Sequence, residues 1–306
     1  MSRPGPGLTI AVYVLLCLVW GTTWAAIEVM LRGIPPFSGV AIRFFVAGVL
    51  LWAIARVRRI PLGKKPYERR LWWINAAFAF SVSYGAVYWA EQWVPSGLAA
   101  VLFATYPLFV GAIAHVALPD ERVSAAEGVG MLVGFVGVAT IFSADFALLG
   151  GTQVFVASIV MLISPIAAAI GTVYVKRWGA GIHPLSLTAV PMMMSGVAMG
   201  AIAVVLERER EFTFGAAPVL ALLYLTVVGS AITFTLYYWL LEHLPAKRMA
   251  LIAYLIPLIA IAIGTSRGEV LTPRMLTGSA IVIGGVALAI HFAGRARKKA
   301  AREAAQ

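Results

Sequence analysis

The chain has 306 residues, 61% of them hydrophobic and 12% charged, with a formal net charge of +11. A water-soluble domain carries about 45–50% apolar and about 25% charged residues, so this chain lacks the polar side chains to cover a soluble surface. The positive charge does not mark a nucleic-acid partner, because the basic residues sit at the edges of long apolar blocks, where membrane proteins place them.

Each block is near the ~20 residues that a helix needs to cross ~30 Å of hydrocarbon. Ten transmembrane helices are predicted, at about 8–30, 36–56, 70–91, 96–118, 125–143, 152–175, 184–206, 216–240, 246–267 and 272–294. The first block lacks a small-residue cleavage site and reads as a retained helix. It holds the single cysteine, Cys17, and places Trp20 and Trp24 one turn apart. Trp20 is too deep for an interfacial belt, so it faces protein or a cavity. Glu28, near the end of this helix, either pairs with Arg43 or faces water.

Arg43 lies two turns into the second helix. A charge at that depth is a functional suspect; it either binds a substrate carboxylate or snorkels outward. On the third helix Ser81, Tyr84 and Tyr88 recur at i, i+3 and i+7 and share a face. Ser230, Thr233 and Tyr237 have the same spacing on the eighth. Such faces suit an amphiphilic solute or, alternatively, hydroxyl bonds between packed helices. Glu91, ending the third helix, is expected to be solvated. Thr105 and Tyr106 precede Pro107, which with Pro257 lies about twelve residues into its helix. These prolines and Pro165 are candidate hinges or static kinks. Gly130, Gly134 and Gly137 form a small-residue contact face on the fifth helix. Trp89 and Trp239 read as interfacial.

The second half repeats the first. Tyr88-Trp89 recurs as Tyr238-Trp239, Pro95 as Pro245, Pro107-Leu108 as Pro257-Leu258 and Gly21-Thr22 as Gly171-Thr172, all 150 residues apart. At a spacing of 148, Pro36 matches Pro184, Gly48 matches Gly196, Glu121 matches Glu269, Gly130 matches Gly278 and Gly137 matches Gly285. Tyr174 matches Trp24 and joins the candidate site residues. The predicted units are 1–147 and 148–294, each of five helices, followed by a basic tail at 295–306. Five is odd, so the second half enters the membrane from the opposite face, giving inverted repeats around a midplane site. With the N-terminus inside, eighteen Lys and Arg fall on the cytoplasmic side and five outside, so both termini are expected in the cytoplasm. The tail is suited to anionic lipid headgroups.

No metal site or cofactor is expected. The histidines (His115, His183, His243 and His291) are scattered over different helices and loops, and no two carboxylates sit one helical turn apart within a predicted span. A membrane enzyme would need such groupings, and a channel would need a charged or carbonyl filter. The expected partners are a small-molecule solute and membrane lipid, with the chain a monomer or a homodimer.

Val19-Trp20-Gly21-Thr22-Thr23-Trp24, Pro36-Phe37 with Arg43-Phe44, Tyr106-Pro107-Leu108-Phe109, Leu244-Pro245-Ala246, Ile256-Pro257-Leu258 and Gly268-Glu269-Val270-Leu271-Thr272 follow in order. In this order, and in duplicate, they resemble the bacterial EamA-type branch of the drug/metabolite transporter superfamily over residues 10–293. The resemblance implies an all-α fold of ten helices, the first four of each half around a central cavity and the fifth and tenth peripheral. It implies export of amino acids, metabolites or drug-like compounds, and the aromatic content is similar to that of exporters of aromatic and other apolar amino acids. The first half departs from the pattern: Pro119-Asp120-Glu121-Arg122 stands where the second half has Arg267-Gly268-Glu269-Val270.

Overall fold

The computed structural model describes residues 4–144, 151–266 and 272–303. The predicted boundary between the halves and the stretch from Arg267 to Leu271, with Glu269, lie outside the described residues, as do the side chains from Gly294 onward.

The described residues are helical, with no strand among them. They group into α1 (Pro6–Leu31) and α2 (Pro36–Val57); α3, formed by Glu68–Ile74, a π-helical Asn75–Val82 and Ser83–Ala90; α4, formed by Ser96–Phe103 and Tyr106–Ala117; and α5 (Ala125–Ile141). There follow α6 (Thr152–Trp178) and α7 (Pro184–Leu206); α8, formed by Ala216–Thr226, a π-helical Val227–Ile232 and Thr233–His243; α9, formed by Ala246–Ala250 and Ile252–Ser266; and α10 (Pro273–Glu303). Proline at the first turn starts α1, α2 and α7, where its missing N–H has no intrahelical partner to lose. Ser124 and Glu127 close a capping box on α5.

Among the described residues, seven helices are long and apolar enough to cross a membrane: α1, α2, α6, α7, Gly97–Ala117 in α4, Ala216–His243 in α8 and Pro273–Ala293 in α10. Large apolar side chains such as Val14, Leu18, Val46, Phe155 and Ile159 face outward. A soluble protein does not expose so broad an apolar surface; in a bilayer it meets lipid tails. This is an all-helical, multi-pass membrane protein.

Three features refine the sequence expectation. Helix α4 breaks at Ala104–Thr105, and Pro107 falls in the first turn of the following segment, so the break lies in the turn that a proline at 107 disrupts. Pro165 and Pro257 lie inside continuous helices. Helix α10 continues to Glu303, past its membrane-crossing stretch Pro273–Ala293, because the Ala, Arg and Lys residues that follow Gly294 are good helix formers.

The most extensive helix contacts are α2 on α7 and α5 on α10; α1 packs on α8 and α9, and α6 on α3 and α4. Glycines permit both extensive contacts. A Cβ at Gly48 would lie 2.7 Å from the Ala189 carbonyl oxygen, and one at Gly196 would lie 2.6 Å from the Phe45 nitrogen. At Gly285 it would lie 2.4 Å from the Gly134 nitrogen. Carboxylates anchor two helix starts. Glu207, at the end of α7, accepts from the backbone N–H groups of Phe37 (2.7 Å) and Ser38 (2.8 Å) and from the Ser38 hydroxyl. Glu68 accepts from the hydroxyl of Ser186 in α7; Ser186 is the match of Ser38 at a spacing of 148.

Candidate functional site

Side chains from α1, α3, α4, α6, α8 and α9 enclose a cavity of about 100 Å³. Its walls are mainly aromatic and aliphatic. Trp20 lies against Phe234 (ring centroids 5.6 Å apart) and Tyr237 (5.3 Å). Trp24 meets Phe103 edge-on at 5.7 Å, and Phe103 stacks on Tyr106 at 5.5 Å. Three hydroxyls form a closed triangle in the wall: Tyr106 to Thr172 (2.7 Å), Tyr106 to Tyr237 (2.9 Å) and Thr172 to Tyr237 (3.0 Å). The triangle joins α4, α6 and α8, and each hydroxyl in it can both donate and accept.

Of the residues singled out from sequence, Trp20, Trp24, Tyr84, Tyr106 and Tyr237 line this cavity. The others lie off its lining. Arg43 is 1% exposed. It donates to the Ser230 hydroxyl (2.7 Å), the Tyr88 hydroxyl (2.8 Å) and the Gly229 carbonyl (3.2 Å). Its guanidinium carbon also lies 5.0 Å from the centre of the Tyr84 ring, a cation–π contact. Arg43 therefore neither snorkels nor faces the cavity: it is a buried tie between α2, α3 and α8, and Tyr88 and Ser230 are its partners. Ser81 donates to Ser195 on α7 (3.0 Å). Thr105 bonds the Leu102 carbonyl at 2.6 Å and Thr233 bonds the Val228 carbonyl, each in its own helix. Tyr174 packs edge-on against Trp178. Glu28 pairs with Arg32 at 3.1 Å, both exposed, and not with Arg43. The Glu91 carboxylate oxygens are shielded and have no hydrogen-bond partner among the described residues, contrary to the expected solvation.

Sequence reading missed Phe103, Thr172, Phe234 and Tyr238 in the lining. Thr172 and Tyr238 had a signal, since both belong to repeated pairs, and Phe234 lies one turn before Tyr237.

In the cavity wall, Tyr237 and Met249 are 4% and 0% exposed. Beyond it, Lys176 at the end of α6 donates to the carbonyls of Leu241 (2.7 Å) and Leu244 (2.8 Å) at the end of α8. Glu121 lies 3.8 Å from Lys176 and accepts from the Ala246 N–H at the start of α9 (2.7 Å). Burial pushes the Glu121 pKa up against the pull of Lys176 and that N–H. Lys247 pairs with Glu127 of α5 at 2.6 Å. These contacts tie the ends of α4, α5, α6, α8 and α9 together. Among the described residues, no group of three His, Cys, Asp or Glu is placed to hold a metal ion.

Comparison with known proteins gives the arrangement its family. The model of the EamA-like transporter family matches twice, over residues 7–143 and 155–290. The chain is 30% identical to the "Uncharacterized inner membrane transporter YedA" of Escherichia coli K12, covering 83% of this chain and 80% of that protein. It is 27% identical to "Protein PagO" of Salmonella typhimurium, covering 82% of each. A solved structure described as "Crystal structure of protein" superposes with a TM-score of 0.78 at 16% identity, covering 95% of this chain and 99% of that one, and so shares the fold. The chain belongs to the EamA-like transporter family, consistent with the drug/metabolite transporter superfamily.

Proposed function

We propose that the chain is a secondary transporter, working as an exporter, that carries a small organic solute through the central cavity by alternating access. In this reading α1–α5 and α6–α10 are inverted halves of a ten-span protein in the inner membrane, with both termini cytoplasmic. The solute has an apolar or aromatic body, the class that includes the apolar amino acids.

The observation that carries the reading is the packing pattern around the cavity. Exchanging each helix of one half for its counterpart converts the α1–α8 contact into α6–α3 and the α1–α9 contact into α6–α4. The α2–α7 and α5–α10 contacts map onto themselves. A pseudo-two-fold arrangement provides two related conformations, one open to each face. The double family match and the matched glycines at the self-mapping contacts support the same reading. In this reading the ties around Glu121, Lys176 and Lys247 hold one end of the cavity shut. They would have to part for that end to open.

Reconstituted in liposomes, the full chain should catalyse saturable counterflow of at least one solute from a mixed metabolite panel. Flux that rises linearly with concentration would point to a channel. Flux no greater than in empty vesicles across the panel would reject transport.

A further inference from the structure

The cavity wall carries no charge: none of its described lining residues is Asp, Glu, Lys, Arg or His. The nearby Arg43 stands behind the Tyr84 ring with each guanidinium nitrogen bonded inside the protein. Five of the seven hydroxyls in the described wall are also engaged. Thr23 donates to the Trp20 carbonyl (2.8 Å), Ser83 bonds Ser164 (2.9 Å), and the Tyr106, Thr172 and Tyr237 hydroxyls satisfy one another. Among the buried donors of the described wall, one lacks a partner. The Trp20 indole Nε1 is buried and has no acceptor among the described residues. A buried N–H without an acceptor is destabilising, and a solute that supplies the acceptor removes that penalty. An ion brought into the same space loses its hydration and finds no counter-charge on the wall.

We propose that this site selects solutes without ionised groups: an aromatic or apolar body bearing one neutral acceptor, an amide or ester carbonyl, that takes the Trp20 N–H. The inference rests on the carrier reading above and narrows its substrate class. It ranks the zwitterionic amino acids below their uncharged derivatives.

Four probes with one aromatic body and different charge test it: N-acetyl-phenylalaninamide (uncharged), N-acetyl-phenylalanine (anion), phenylalaninamide (cation) and phenylalanine (zwitterion). Binding to the full chain in lipid nanodiscs is measured by calorimetry. The uncharged probe should bind about tenfold more tightly than each of the others. Trp20→Phe should weaken that binding about fivefold, because it removes the indole donor. Equal or tighter binding of any charged probe overturns the charge selectivity. Unchanged binding of the uncharged probe to Trp20→Phe overturns the role of the indole. Binding of none of the four overturns the substrate class. The metabolite flux assay decides the carrier reading separately, since saturable flux of charged solutes would leave transport standing and sink this inference alone.

Discussion

Replacing Arg43 with alanine is expected to destabilise the folded protein by about 3–5 kcal/mol. The substitution opens a void in a packed region. It also leaves the Tyr88 and Ser230 hydroxyls and the Gly229 carbonyl without their shared donor, in surroundings where an unmet hydrogen bond costs about 1–3 kcal/mol. Arg43→Lys should recover only part of the loss, because an ammonium cannot reproduce the planar fork that reaches three partners on two helices. Thermal unfolding of the purified full chain in nanodiscs reads the effect. Arg43→Ala with an unfolding midpoint equal to that of the parent would show that the guanidinium is not a structural tie. The alternative role, capture of a substrate carboxylate, would then regain its place.

Leucine at Gly285 should prevent a stable fold, whereas leucine at the adjacent Gly284 should be tolerated. A side chain at Gly285 would begin 2.4 Å from the Gly134 nitrogen and 2.8 Å from the Gly130 carbonyl oxygen, while at Gly284 nothing lies within 4 Å. Backbone cannot yield as a flexible side chain can, so α5 and α10 must move apart, at about 3 kcal/mol or more. Size-exclusion chromatography and thermal unfolding of the two variants, expressed in parallel, supply the readout. Equal behaviour of the pair would mean that α10 is rotated or loosely held relative to α5.

These two sites also show what could be read from sequence. The small-residue face of α5 and its matched glycines were visible because glycine at a constant spacing, among sparse Trp, Pro and Glu markers, stands out from an apolar background. The site was legible only in part. Ser81, Tyr84 and Tyr88 were placed on one face by counting 3.6 residues per turn. The π-helical stretches Asn75–Val82 and Val227–Ile232 widen the turns of α3 and α8. Each widened turn carries an extra residue, so a face counted at the α-helical period slips around the axis. Ser81 therefore turns toward α7, while Tyr84 reaches the cavity. Ser230 meets Arg43, while Tyr237 reaches the hydroxyl triangle. Arg43 was ambiguous for another reason. Sequence shows a charge at membrane depth but not the three neutral acceptors, drawn from α3 and α8, that make its burial tolerable.

Arg32 and Ala180 follow the ends of α1 and α6, are exposed, and occupy equivalent positions 148 residues apart. Single cysteines at these two places, with Cys17 changed to serine, can be labelled by a membrane-impermeant maleimide in sealed vesicles of known orientation. Oppositely inserted halves require Arg32→Cys to react from one face alone and Ala180→Cys from the other alone. Labelling of both from the same face would contradict the inverted architecture, and with it the two-way cavity built upon it.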